Sequence, residues 1–309
     1  MVEAVRALAE TERVRINVLD SDHAAHVRAL LARRADLKQI DLHVVPTNDA
    51  WVRDHGAIFV VNEAAPETLL AIAYDYNAWG GKYPPYDLDR AVPRQMAEIL
   101  GVPSFAAGIV LEGGSIDGNG EGVLLTTEQC LLNPNRNPHL EKTEIEQLLR
   151  DSLGVSQIVW LGEGIAGDDT DGHVDDLTRF VNPSAVVTVV EPNRADPNHA
   201  PLAANRRYLD EVEVRGRKIE VVELPMPEPL YNGGQRLPAS YANFYVANEL
   251  VLVPVFACRQ DDAACGLIAE CFPGRRVVPI DSRPLVAGLG ALHCLTQQVP
   301  ATRPSAAPR

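Results

Sequence analysis

The order in which short apolar strands and helices follow one another restricts the fold of this chain most. Five amphipathic stretches at 2–10, 22–34, 140–153, 202–214 and 261–272 each run into a compact apolar segment, at 13–20, 39–46, 156–162, 218–225 and 275–280. In 140–153, Leu140, Ile145, Leu148, Leu149 and Leu153 recur at helical spacing and form one apolar face. Further β-rich runs lie at 57–62, 69–74, 122–126, 185–190 and 250–255. The rhythm of strand, strand, helix, strand returns every ~50–60 residues without identity between units, so the repetition is structural rather than literal. Alternation of this kind specifies an α/β fold, either a circular arrangement of units or an open doubly wound sheet. No GxGxxG follows the first strand, which speaks against a dinucleotide fold. No linker divides the chain, so 1–300 is expected to be a single domain and the Pro-rich 301–309 a flexible tail.

Composition narrows the classes of partner. The chain has 309 residues, 46% hydrophobic and 23% charged, enough to bury a real core. Its formal net charge of -14 disfavours a phosphate backbone, so no nucleic acid is expected. The acidity serves solubility or draws in a cationic substrate. No run approaches the ~20 apolar residues of a membrane span, and 1–10 lacks the basic and apolar regions of a signal peptide. The five cysteines form no CxxC pair, which suggests neither a disulfide framework nor a zinc site and suits a reducing cytoplasm.

Four islands carry chemistry. Cys294 follows Gly288-Leu289-Gly290 and precedes Thr296-Gln297-Gln298, where glycines let backbone approach a ligand and polar neighbours allow a reactive thiol. Inert packing is the competing reading of any single cysteine. His173 and Asp175 are two apart, which on an extended segment turns both side chains to one face. Calcium competes for the acidic run Asp168, Asp169, Asp171, Asp175 and Asp176, but the EF-hand alternation is missing. Trp51-Val52-Arg53-Asp54 reads either as an internal ion pair beside a core tryptophan or as an aromatic wall with a carboxylate clamp for a cation. Glu112 precedes Gly113-Gly114, where a turn exposes it. A thiolate to attack, an imidazole to move protons and carboxylates to hold positive charge together make a nucleophilic site for a cation. His55 and His293 neighbour these residues without an arguable role.

Taken together, these islands resemble the agmatine deiminase family, the bacterial-type peptidylarginine deiminases of the guanidine-modifying superfamily. The similarity runs from about Pro46 to Pro300 through segments 47–54, 77–87, 111–115, 124–138, 167–175, 243–248 and 293–298. The resemblance implies a pentein fold, a five-bladed α/β propeller of ββαβ-like units with pseudo-fivefold symmetry and a central site. It implies Cys294 as nucleophile, His173 as general acid/base, Asp54 and Asp175 as guanidinium clamps and Glu112 as support for the histidine. Trp51, Trp79, Asp49 and Asp169 fall on the substrate side. No metal and no cofactor is implied, and the partner is a small cationic guanidine, with a homodimer allowed. The reaction implied is agmatine plus water to N-carbamoylputrescine plus ammonia, in putrescine and polyamine metabolism.

This sequence departs from the family pattern in several places. Members carry an additional Trp- and Pro-containing N-terminal segment, so one strand of the first blade is expected to be missing. Ala291-Leu292 replaces Asn-Ile, Leu289 replaces a glycine, and His55 and Ala57 replace Thr and Pro. The rivals are a deiminase or amidinotransferase for arginine, peptidyl-arginine or another guanidino compound, and a ligand-binding relative without turnover. An α-carboxylate would require a nearby Arg or Lys, and none stands out in the matched segments.

Overall fold

The computed structural model describes residues 1–62 and 65–302, so 303–309 of the expected flexible tail lie outside the described residues. Four consecutive units share one plan. A first strand runs antiparallel to a central strand, and a helix then carries the chain to a third strand parallel to the centre. The strands are Ile58–Asn62, Ala65–Asp75 and Ser104–Val110, crossed by the helix Asp87–Leu100. Next come Asp117–Gly118, Val123–Thr127 and Gln157–Leu161 with the helix Lys142–Leu153. Thr178–Asn182, Ala185–Val190 and Glu220–Pro225 follow with the helix His199–Leu209. The last unit is Tyr245–Val246, Leu250–Val255 and Arg276–Asp281 with the helix Asp261–Cys271. The helices are obligatory, because a parallel pair needs a crossover too long for a turn.

The first unit is shorter. Val14–Val18 pairs in parallel with Ile40–Val44 through the helix Ser21–Leu31, and among the described residues no antiparallel strand joins it. A cavity of about 750 Å³ lies beside it, lined by Val14, Ile16, Val18, Leu31, Met96 and Leu295 among others.

Central strands are buried on both faces, as their unbroken β-branched runs require. Val251, Leu252 and Val253 are fully buried, as are Val186, Val187 and Val189. Cores are shared between successive units. Ile72 and Leu111 pack with Leu124 and Leu149, Leu125 and Leu161 with Phe180 and Val186, and Val187 and Leu224 with Val251 and Ile268. The N-terminal helix Val2–Leu8 closes on the last unit through Ala4 and Leu8 against Leu250 and Ile280. Every strand read from the sequence is present within a few residues of its expected bounds. The helix expected over 202–214 instead ends at Leu209. Arg215 and Gly216, at φ of 53° and 73°, form a tight turn that pairs Glu213–Val214 with Arg217–Lys218. Left-handed backbone at two successive turn residues suits the twist of a hairpin, and a hairpin removes these residues from the helix.

Candidate active site

The site forms where loops at the strand ends converge. Cys294 is buried in a segment stitched to two others by backbone bonds. Arg53 donates its amide to the Cys294 carbonyl at 3.0 Å and its Nε to the His293 carbonyl at 3.3 Å. The Asn243 side chain donates to the Cys294 sulfur at 3.1 Å and to Asp176 at 3.1 Å. Its oxygen accepts from the amides of His293 at 2.9 Å and Cys294 at 3.4 Å. Asp175 accepts from or donates to His293 Nδ1 at 2.6 Å and lies 3.9 Å from the Cys294 sulfur. His293 therefore has a structural partner after all.

The opposite wall is held by ions. Glu112 is fully buried and pairs with Arg136 Nε at 2.6 Å. Arg136 continues to Asp171 at 2.7 Å, and Asp171 meets Lys82 at 2.8 Å. The exposed turn expected for Glu112 is thus a buried one: the Glu112 carbonyl takes the Ser115 amide and hydroxyl, while its carboxylate faces a guanidinium. A buried carboxylate persists only with such a partner. His173 is buried with Nδ1 3.7 Å from Asp54 and Nε2 unpartnered. One Asp54 oxygen takes the Trp79 indole N–H at 3.0 Å, the other the Gly114 amide at 3.0 Å. Asp54 is therefore held by Trp79 and Gly114, and the internal Arg53–Asp54 pair weighed from sequence does not form.

Gly114 sits among these groups with no room to spare. A Cβ there would stand 2.6 Å from His173 Nδ1, 2.7 Å from Asp54 and 3.1 Å from Asp175. His173 and Asp175 thus converge, although not along an extended strand. Val174–Asp176 is a 3-10 turn, and the turn rather than strand alternation brings them together. Trp79 lies at φ 54°, a strained conformation for a bulky side chain that its indole bond to Asp54 helps to hold.

The cavity, about 250 Å³, is lined by Asp49, Trp51, Asp54, Trp79, Tyr83, Asp169, Thr170, His173, Asp176, Leu289 and Cys294, with the 287–290 backbone. Glu112 and Asp175 lie behind this lining, the former against Arg136 and the latter against His293. Tyr83 donates its hydroxyl to Asp169. Trp51 packs on Gly290, where a Cβ would come within 2.5 Å of the ring. Leu289 takes φ 72° where the family pattern has a glycine, so a leucine forms the wall at backbone cost. No Lys or Arg is among the lining residues. Sequence reading gave Arg136 and Asn243 no role, and Asp176 entered only as part of the acidic run. Arg136 lay inside a matched segment, and its approach to Glu112 is visible only once the chain is folded.

Electrostatics follow from this crowding of acids. Burial, then Asp175, Asp176 and Asp54, push the Cys294 thiol well above its usual range. Burial, then Asp175 and Glu112, raise Asp54 well up, and burial raises Asp175. Burial raises Glu112 against the opposing pull of Arg136. Burial, then Arg136, hold His173 well below the usual imidazole value. The residues of the site thus favour a neutral thiol and a neutral imidazole beside carboxylates short of compensating charge. A cation would lower the thiol and the carboxylates together, while holding the imidazole neutral. Oxygen of Glu112, sulfur of Cys130 and nitrogen of His173 lie within 4.8 Å of one another, a spacing open to a metal ion. Arg136 already occupies that Glu112 carboxylate, so a dication would meet a guanidinium there.

Comparison with known proteins identifies the family. The profile of the Porphyromonas-type peptidyl-arginine deiminase family matches residues 1–300. A Legionella pneumophila protein named "Putative agmatine deiminase" is 38% identical over 299 residues, covering 96% of this chain and 84% of its own. The agmatine deiminase of Enterococcus faecalis superposes with a TM-score of 0.89 at 31% identity, covering 96% of this chain and 86% of that one. The C. jejuni agmatine deiminase with substrate bound gives 0.87 at 33% identity, covering 96% and 84%. The chain belongs to the Porphyromonas-type peptidyl-arginine deiminase family, and its α/β fold is that of the pentein deiminases.

Proposed function

We propose that this family member is a guanidine deiminase whose preferred substrate is agmatine, hydrolysed to N-carbamoylputrescine and ammonia. The observation that carries this is a cavity in which Asp49, Asp54, Asp169 and Asp176 face one buried thiol and no Lys or Arg takes part in the lining. Agmatine is cationic at both ends, whereas arginine brings an α-carboxylate that such a lining repels. The five units are read as blades of a propeller forming one domain over 1–300. A free thiol nucleophile suits a reducing cytoplasm, and the product suits putrescine synthesis.

Asp54, from the cavity lining, and Asp175, through the oxygen that His293 leaves free, grip the planar guanidinium through its N–H groups, a geometry that favours paired charge-assisted bonds. The bound cation lowers the thiol pKa by direct attraction, so the proton passes from Cys294 to His173 when substrate is present. The thiolate attacks the guanidinium carbon and the C=N electrons move onto nitrogen. His173 delivers a proton to the departing nitrogen, ammonia leaves, and an amidino-thioether remains on Cys294. His173, now neutral, takes a proton from water. Hydroxide adds to the same carbon, the C–S bond breaks, and the ureido product departs with the thiol restored. Glu112 steadies the imidazole, and Arg136 keeps Glu112 ionised. Trp51 and Trp79 wall the methylene chain, while Asp49 and Asp169 receive the far amine. No metal or organic cofactor enters these steps.

The test is ammonia and ureido release from agmatine, arginine and blocked peptidyl-arginine, with Cys294→Ala as control. Agmatine is expected to show the highest kcat/KM, by roughly 100-fold over arginine, on the cost of pairing a carboxylate with acids. Preference for arginine or peptidyl-arginine would replace the substrate while leaving the chemistry. Turnover undiminished in Cys294→Ala would remove the nucleophile.

A further inference from the structure

Among the described residues, Asn243 is the neutral side chain that donates to the Cys294 sulfur, and it is fully buried. Its orientation is determined by the network around it. The oxygen faces two backbone N–H donors, from His293 and Cys294, so the amino group must face the Cys294 sulfur and Asp176. A flipped amide would set N–H against N–H and oxygen against carboxylate. The backbone on either side is pinned as well. Arg179 donates to the carbonyls of Ala242 and Phe244 at 3.1 Å each and stacks over the Phe244 ring at 4.8 Å. Ser240 donates to the Asp176 carbonyl at 2.8 Å, tying this loop to the turn that carries Asp175 and Asp176.

We propose that Asn243 is a further residue of the reaction machinery, its carboxamide donating to the Cys294 sulfur as negative charge develops there. The inference rests on the reading of Cys294 as nucleophile and adds what supports the thiolate. The charged groups that weigh most on that sulfur are acidic, namely Asp175, Asp176 and Asp54. The Asn243 N–H is the side-chain donor aimed at the sulfur, beside the backbone N–H of Ala291, and both are in place before the reaction. A donor fixed before the reaction needs no reorganisation when charge appears, and such donors are worth about 100-fold in rate. Asp176 takes the second N–H and keeps the amide in plane. When the amidino-thioether is hydrolysed the sulfur leaves as an anion again, so the same bond serves both halves of the cycle.

The test uses Asn243→Asp, which keeps the shape and the acceptor for the two backbone amides and replaces the donor with oxygen. Asn243→Ser serves as a second variant, too short to reach the sulfur. Alkylation of Cys294 by iodoacetamide is followed against pH on the Cys294 peptide by mass spectrometry, alongside kcat and KM. The expected result is a midpoint about one pH unit or more above that of the unaltered protein, kcat lower by about 100-fold, and KM within about threefold. An unchanged alkylation profile overturns the proposal whether or not kcat falls, because it is a merely structural role that would leave the sulfur's ionisation unmoved. Loss of the folded state in both variants would assign Asn243 to folding and overturn it too. A shifted profile in a protein that turns over no guanidine would sink the substrate reading and leave Asn243's role standing.

Discussion

The two walls of the cavity are built on different physics. On the nucleophile side, Cys294 is located by backbone bonds from Arg53 and by the neutral amide of Asn243, and the charges that weigh most on the sulfur are the carboxylates Asp175, Asp176 and Asp54. On the acid/base side, position comes from the buried Glu112–Arg136 pair and its continuation through Asp171 to Lys82. The first wall sets geometry and leaves charge unbalanced. The second balances its own charge and stays rigid by doing so. A cation is therefore missing on one side only, which is where a guanidinium would deliver its positive charge beside a thiol.

If that contrast holds, its largest consequence is on stability. Arg136→Met leaves Glu112 as a buried charge without a partner and is expected to cost about 3–5 kcal/mol, read from urea unfolding. A loss under about 1 kcal/mol would mean that the pair is not what holds the wall. Gly114→Ala acts on geometry instead, since its Cβ would press on His173 and Asp54 at 2.6 and 2.7 Å. Small displacements of this kind cost about 100-fold in rate, so kcat/KM should fall to that extent while the unfolding midpoint moves little. Undiminished activity would show that the walls can separate without penalty.

The smallest effect is the most specific to the nucleophile wall. Burial and the carboxylates around it raise the Cys294 thiol well above its usual range. A raised thiol pKa means that the thiolate fraction is small near neutrality and grows only as pH rises toward that value. Neutral iodoacetamide should therefore label Cys294 slowly at pH 7 and faster at higher pH. A cationic haloacetamidine brings its own compensating charge and should outpace it by about 10-fold or more, after correction for their rates with a free thiol. Equal corrected rates would mean that the wall is already balanced.

Much of this was legible in the chain. The β-branched runs at 185–190 and 250–255 became buried central strands because only a strand covered on both faces can be apolar throughout. Cys294, His173, Asp54, Trp51, Trp79, Asp49 and Asp169 were singled out from sequence and face one cavity. What stayed hidden depends on contacts between distant segments. Glu112 before two glycines reads as a solvated turn, and only Arg136, 24 residues on, makes its burial tolerable. Asn243 lies 51 residues before the sulfur it meets, in a loop whose polarity alone says nothing. His173 and Asp175 met as expected but through a 3-10 turn, because the same spacing of two permits more than one backbone route.

The central claim is that Cys294 attacks the guanidinium carbon. The measurement closest to it is acid quenching during turnover of agmatine, followed by mass analysis of the peptide bearing Cys294. The account predicts an adduct on that cysteine equal to the substrate minus ammonia, absent when Cys294→Ser replaces the unaltered protein. Turnover that proceeds with no adduct on Cys294, and persists in Cys294→Ser, would contradict it.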